Sequence, residues 1–393
     1  MAKALPASVI QVEDDEVQET SITIKAIRAS KSDPDRLTIE LDRPVPLPAG
    51  HNICIDMGRR FMKIAYWKDE QTIIIDKLST DLAVSEGAES VAVQGTTKGR
   101  FLAKNQQKIA AKNRVAISLL GKSYVAALRA QKLGGNRGLG QKKTENMLPR
   151  VLCALTLHGI QDGEVNLIMT IPFESDWATQ EDTAIKSVEG DRVWGSDLGS
   201  HEVKINPLVV PESFYAEKFP RLFDPDAPNW EKIDHYVFDF GYQTLLRSAF
   251  SYDPITDSTY FDPDLSECFD NMGLSLFYKY VAEQCGYGAE NAEDPAFIEA
   301  VNRNEEVYAC QNGEFKLSQA IPVAANRYTK EITDMAKPSR SILHFQGAGG
   351  GVHRFWKPFC AHYEYAETYA PDLPELANII GQAISLPGEF QNV

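Results

Sequence analysis

The sequence predicts an α/β protein of two similar lobes with a small β extension at its N-terminal end, and three observations predict it. The chain has 393 residues, too many for one compact core. One local design occurs twice: HNICIDMGRRFMKIAYW (His51 to Trp67) and VFDFGYQTLLRSAF (Val237 to Phe250) each run apolar into a lone aspartate, turn at a glycine and resume as an apolar strand. After each copy a strand-rich meander gives way to helical segments, so the order of elements is itself duplicated.

Residues 1–48 read as an appendage. An acidic lead from Glu13 to Glu19 precedes SITIKAI and RLTIELD, both alternating apolar and polar. The turn residues Lys31-Ser32-Asp33-Pro34-Asp35 between them predict a β-hairpin. PVPLPAG is then a stiff linker, because its prolines lack backbone donors. From His51 the segments NICID, FMKIAYW and TIIIDKL read as a three-strand meander, with SVAVQGTT as a further strand. Gln106 to Gln131 places Ile117, Leu120, Tyr124 and Leu128 at helical spacing and predicts a helix. The basic, glycine-rich KLGGNRGLGQKKT that follows lacks the GxxxxGK[ST] order and a strand ahead of it, so it reads as a surface loop.

VLCALTLHG and VNLIMTIPF read as two buried strands around Gln161-Asp162-Gly163, and a polar excursion holding Trp177 and Trp194 leads to EVKINPLVVPESFYAEKF. The second half restarts with YVFDFG, LLRSAFSY and STYFD as another meander. It continues through the helical GLSLFYKYVAEQCG, a long helical pair over Asp294 to Met335, and SILHFQGAGGG as a strand and turn.

Composition excludes several function classes. With 43% hydrophobic and 24% charged residues the chain has the balance of a folded soluble protein. A formal charge of −15 argues against broad nucleic-acid binding, since a phosphate backbone would be repelled. The six cysteines show no CxxC spacing and the seven histidines no HExxH, so reduced thiols are expected rather than a metal site or disulfide framework. The acidic start lacks the basic and apolar regions of a signal peptide, and no apolar run has the length of a membrane span. A cytoplasmic protein is expected.

The chemistry-bearing residues sit at the ends of apolar strands. Gly58 and Gly241 let the backbone approach oxyanions, with amides free to donate to phosphate. Asp56 and Asp239 would meet phosphate only through a hydrated Mg²⁺, because like charges repel. Lys63 would balance terminal phosphates and Thr244 would add a donor. Taken singly, each Asp-x-Gly is an ordinary hairpin turn. A third stretch, ILHFQGAGGG, ends an apolar strand in Gly347, Ala348, Gly349 and Gly350, which remove side chains where a base and ribose could lie against backbone.

In the order DxGxxxxK, DxGxxT and strand-GAGG, these sites resemble the actin-like ATPase superfamily, most closely the ParM/StbA and Alp bacterial and archaeal actins. NPLVVPESFYA resembles the VxPExxxA connector of that group, and PELANIIGQ its PxxANxxG C-terminal helix. The resemblance covers residues 50–390 and implies a duplicated, ribonuclease H-like fold: lobe I over 49–215 with a C-terminal helix in 366–393, lobe II over 216–365, and residues 1–48 outside. It implies ATP and Mg²⁺ between the lobes, with Asp56 and Asp239 orienting the metal through water. Gly58, Arg59, Lys63, Gly241, Gln243 and Thr244 would surround the phosphates, and Gly347, Ala348, Gly349 and Gly350 would line the adenosine. Glu212 would position the attacking water.

The resemblance further implies self-association into nucleotide-dependent filaments, as in plasmid or DNA segregation, with an adaptor protein on DNA cargo as a partner. Two readings compete: a small-molecule kinase of the same superfamily, and a non-polymerising nucleotide-gated scaffold docked through the N-terminal hairpin. Arg59 and Arg60 depart from the pattern, which has small or hydroxylated residues there. Because side chains alternate along a strand, one is expected to face the cleft and the other to point away. Trp177 to His201 and FPRLFDPDAPNWEK are also irregular against the pattern.

Overall fold

The computed structural model describes residues 22–31, 33, 35–86, 115–126, 130, 145–174, 176–223 and 227–391. The acidic lead, SVAVQGTT and the glycine-rich loop lie outside these residues. β1 (Ile24–Ala29) and β2 (Leu37–Leu41) form the expected hairpin. β3 (His51–Met57), β4 (Phe61–Asp69) and β5 (Thr72–Ser79) form the expected meander. β2 pairs antiparallel with β5, so the hairpin extends the first sheet at its edge rather than hanging from it.

That sheet is completed by β6 (Leu82–Glu86), β7 (Ala116–Leu119), β8 (Lys122–Ala126), β9 (Asp162–Ile171), β10 (Gly190–Ser196) and β11 (Gly199–Pro211). Its order is β1-β2-β5-β4-β3-β9-β11-β10-β7-β8-β6, with β3, β9 and β11 parallel at the centre. The second sheet holds β12 (His235–Phe240), β13 (Thr244–Asp253), β14 (Ser258–Asp270), β17 (His344–Ala348) and β18 (Glu367–Tyr369) in the order β14-β13-β12-β17-β18. Here β12, β17 and β18 are parallel. β15 (Val307–Cys310) and β16 (Gly313–Lys316) make a separate hairpin.

The described helices are α1 (Met147–Leu157), α2 (Trp177–Val188), α3 (Phe219–Phe223), α4 (Leu274–Cys285), α5 (Pro295–Asn302), α6 (Leu317–Ala336), α7 (Val352–Cys360) and α8 (Ala377–Phe390). Three expectations are corrected. The helix over Gln106 to Gln131 is replaced, across residues 115–126, by the β7–β8 hairpin. Leu120 and Gly121 both take positive φ (50° and 75°), as a tight primed hairpin turn requires, and Leu120 is 93% exposed instead of facing a core.

VLCALTLHG is not a strand but most of α1. Nearly every residue of that helix is buried, including Arg150 and Thr156, so no polar face marks its period. The helical pair over Asp294 to Met335 is α5 and α6 interrupted by the β15–β16 hairpin. Trp177 to His201, irregular in sequence, is regular in structure: it comprises α2 and the β10–β11 turn.

Three apolar clusters hold these layers. One packs α4, α5, α6 and α7 on the second sheet through Phe238, Phe277, Tyr328 and Phe355. Another packs α1 on the first sheet through Leu152, Leu155, Ile55 and Met169. A third joins the two sheets: Cys54 and Ile168 meet Val237 and Ala348, together with Ile379, Ile380 and Ala383 of α8. Trp67 Nε1 donates to the Ala383 carbonyl at 2.9 Å, anchoring α8 to the first sheet. Gly381 is where α8 crosses the segment after β11; a Cβ there would come within 2.0 Å of the Tyr215 carbonyl oxygen.

The extension is tied down by charge as well as by its ladder. Arg36 Nη2 lies 3.5 Å from Asp76 Oδ2, and His158 Nε2 lies 3.5 Å from the same oxygen. Burial, with the Arg36 charge beside it, pushes the His158 imidazolium down to about 3. A histidine kept neutral in the fold takes up its proton first in the unfolded chain, so its contribution is complete above the ordinary histidine range of about 6.5 and is lost as pH falls toward about 3.

Two predictions follow from this packing. Gly381→Ala is expected to destabilise the protein by about 1–3 kcal/mol in denaturant melts. Gly388→Ala on the same helix, where nothing lies within 4 Å, is expected to be neutral or stabilising by up to about 1 kcal/mol; equal effects would show that the crossing is not tight. His158→Phe is expected to lose less stability than the native chain between about pH 6.5 and pH 4.5, measured by the same melts.

Candidate functional site

The parallel strands of both sheets end at one cleft. β3 and β9 stop together, with Asp56 opposite Thr170, and β9 and β11 stop with Ile171 opposite Pro211, just before Glu212. On the second sheet β12 and β17 stop with Asp239 opposite Ala348, just before Gly349. Ligands of open α/β sheets sit outside such carboxyl ends, where backbone amides and loop side chains converge. The cleft has a volume of about 490 Å³.

Of the residues predicted from sequence, Asp56, Gly58, Arg59, Lys63, Glu212, Asp239, Gly241, Gln243, Thr244, Gly349 and Gly350 all line this cleft. Gly347 and Ala348 lie on β17 beneath it. A Cβ on Gly347 would touch the Trp356 ring at 3.0 Å, and Ala348 is buried in the cluster between the sheets. Both therefore stand at packing positions, and Gly349, Gly350 and Gly351 present the backbone to the cleft.

Each carboxylate is held. Lys63 Nζ donates to Asp56 Oδ2 at 2.8 Å and Thr170 Oγ1 donates to Asp56 Oδ1 at 3.2 Å. Burial pulls the Lys63 ammonium down, but the charges of Asp56 and Asp239, with Glu375 behind them, outweigh it and hold the ammonium above its ordinary value. One cation thus serves carboxylates from both sheets. Asp239 Oδ2 accepts from Ser213 Oγ at 3.2 Å. Beside its other oxygen lies Gly349, at φ +86°, where a Cβ would come within 2.2 Å of Asp239 Oδ1. Glu212 is 6% exposed at the cleft floor, its amide donating to the Ile171 carbonyl at 2.8 Å.

The two turns are rigid for local reasons. Gly58 N donates back to the Asp56 carbonyl at 2.9 Å, and a Cβ there would strike the Phe61 carbonyl oxygen at 2.3 Å. The carbonyls of Gly241, Tyr242 and Gln243 accept from the amides of Leu274, Ser275 and Gly273 at the start of α4. Gly273 permits that approach, since a Cβ would lie 2.5 Å from Gln243. Sequence reading missed Gly273, Thr170, Ser213 and Glu375. Thr170 is marked only by the register of β9 against β3, and Gly273 only by standing at a helix start.

Arg59 and Arg60 both line the cleft, which corrects the expectation of one inward and one outward. They stand in the turn between β3 and β4, where strand alternation does not operate. Thr80 fixes their carbonyls, its hydroxyl donating to Arg59 O at 2.6 Å and its amide to Arg60 O at 3.2 Å. Both side chains reach the other sheet: Arg59 Nη2 lies 3.8 Å from Asp270 Oδ1, and the Arg60 guanidinium sits 5.2 Å from the Tyr242 ring centroid. The combined change Asp270→Asn with Tyr242→Leu is expected to speed amide exchange at residues 58–61 and 241–244 about two- to fivefold. The unfolding midpoint should fall only slightly, as a partly exposed ion pair contributes about 0–1 kcal/mol and leucine keeps an apolar side chain against the cluster that Tyr242 packs on; unchanged exchange would mean the ties do not restrain the cleft.

No protein-family model and no curated protein matches the sequence. Among solved structures, the chain is similar to the ParM of a 15-stranded filament from Clostridium botulinum (TM-score 0.62, 14% identity, covering 86% of this chain and 99% of that one). It is also similar to Ta0583, an archaeal actin homologue, with the same TM-score, identity and coverages. Bacillus thuringiensis ParM with ATP is a third (TM-score 0.59, 11% identity, covering 87% and 99%). A duplicated α/β architecture shared over nearly the whole of each relative is a statement about fold: this chain has the actin-like fold, with ParM and archaeal actin homologues as its structural relatives.

Proposed function

We propose that this protein is an actin-like ATPase that binds Mg–ATP in the cleft between its two sheets and assembles into nucleotide-dependent filaments. One observation carries the reading: Asp56, Asp239 and Glu212, from three strand ends, line one cleft together with the glycine turns at Gly58, Gly241 and Gly349. The lobes in this reading are residues 49–215 with the C-terminal helix of 366–393, and residues 216–365, with β18 added to the second lobe by its pairing with β17.

The donor set suits Mg²⁺. It consists of hard carboxylate oxygens, and among the described residues no three His, Cys, Asp or Glu side chains stand close enough to form a metal cage. A metal would then keep water and phosphate oxygens as its principal ligands, as Mg²⁺ prefers. Asp56 and Asp239 would hold it through those waters, and when bound it would neutralise charge on the phosphates. Lys63 and the amides after Gly58 and Gly241 would bind phosphate oxygens. Glu212 would orient the attacking water and accept its proton, a task that suits a buried carboxylate at the cleft floor.

For assembly the support is the fold alone. ATP contacts made from both sheets would hold the cleft shut, and a fixed subunit shape repeating a head-to-tail contact makes an open filament. Among the described residues no helix is long and apolar enough to cross a membrane. A cytoplasmic filament serving plasmid or DNA segregation, joined to its cargo by an adaptor protein, is the biological setting of the proposal.

Glu212→Gln is expected to bind ATP as the native chain does and to lower phosphate release about 10²- to 10⁴-fold; unchanged release would remove Glu212 from the mechanism. Sedimentation with Mg–ATP against Mg–ADP tests assembly separately. A chain that hydrolyses ATP yet stays in the supernatant at high concentration would refute the filament and leave the ATPase.

A further inference from the structure

We propose that Ser213 is a positioning residue: its hydroxyl sets Asp239 in place relative to Glu212, and its side chain is kept at this position in spite of backbone strain. The proposal rests on the nucleotide reading of the cleft. The backbone comes first. Ser213 has φ 67°, in the left-handed region that crowds any Cβ. Glycine adopts that conformation without cost and is the ordinary residue for it. The serine there is fully buried and holds its hydroxyl in place against that strain, and strained residues of this kind gather where geometry serves function.

What that side chain does is visible. Ser213 leaves the end of β11, on the first sheet, and donates to Asp239 Oδ2 on the second at 3.2 Å. Gly349 closes in on the other oxygen of the same carboxylate. Asp239 is therefore boxed from both sides, and its position is referred to the residue next to Glu212 in the chain. The arrangement repeats on the first sheet, where Thr170 donates to Asp56 Oδ1 at 3.2 Å from a neighbouring strand. In each half a buried hydroxyl fixes one carboxylate oxygen. The Ser213 bond joins one sheet's carboxylate to the other sheet's strand exit. Without it Asp239 would keep its charge but lose the rotamer that faces the cleft, and a carboxylate that must hold a metal through water depends on such partners for orientation.

The test compares Ser213→Gly with Ser213→Ala, because both remove the hydroxyl and only the first relieves the strain. The apo Ser213→Gly protein is expected to melt at or above the native temperature, and Ser213→Ala at or below it. In calorimetric titration with ATP at graded Mg²⁺, both are expected to need about ten- to a hundredfold more Mg²⁺ for half-saturation. Turnover at saturating Mg²⁺ should recover in large part. A native Mg²⁺ requirement in both variants overturns the positioning role while leaving the nucleotide reading intact. A loss confined to the variant that melts lower assigns Ser213 to the fold alone and also overturns it. If the native chain binds neither ATP nor GTP with Mg²⁺, the reading beneath the proposal fails, and the proposal with it.

Discussion

Two carboxylates brought into one cleft from different sheets would repel each other unless a positive charge stood between them, and the rest of the site is arranged around that constraint. Lys63 supplies the charge. Its ammonium bonds Asp56 directly and also feels Asp239, and these attractions outweigh the burial that would otherwise favour its neutral form. A lysine on the strand next to Asp56 can do this because antiparallel pairing puts residue 63 opposite residue 56. The turn between them is thus as much an electrostatic device as a reversal of the chain. A group that replaces or augments this cation from outside would find the carboxylates already oriented.

The glycines around the cleft answer a different demand. Gly58, Gly241 and Gly349 stand where a Cβ would collide with backbone or with Asp239 itself, so close approach rather than flexibility explains them. Gly381 plays the same part at a distance, letting α8 cross the chain leaving β11. The cluster of Cys54, Ile168, Val237, Ala348 and the apolar face of α8 then forms an apolar floor on which both sheets rest. Cleft geometry and inter-sheet packing are therefore one problem: Ala348 belongs to the floor, and the next residue, Gly349, to the site.

Arg59 and Arg60 give this cleft a character of its own. Both cross to the second sheet, one toward Asp270 and one onto Tyr242. The N-terminal hairpin also reaches the same mouth, placing Asp35 among the residues that line it. A segment that reads as an appendage in sequence is thus an edge of the first sheet and a wall of the cleft.

The sequence by itself determined the duplicated plan, both aspartate–glycine turns, the meanders and the apolar strand before Gly349, because strand alternation and turn residues are local signals that a linear reading detects. Thr244 was legible as a donor beside the second glycine turn, and Glu212 and Gln243 through the resemblance of short motifs in order; all three line the cleft. Tertiary structure alone decided that α1 is a helix, since burial on every side erases the period that would announce it. It also decided that β7 and β8 form a hairpin, since two positive φ angles at Leu120 and Gly121 override the helical spacing of the residues around them. It put both arginines in the cleft, and it revealed Thr170 and Ser213, whose partners lie 114 and 26 residues away in the chain. A hydrogen bond between distant strands is a property of register and of sheet-to-sheet packing, and neither is written in the neighbourhood of the residue that makes it.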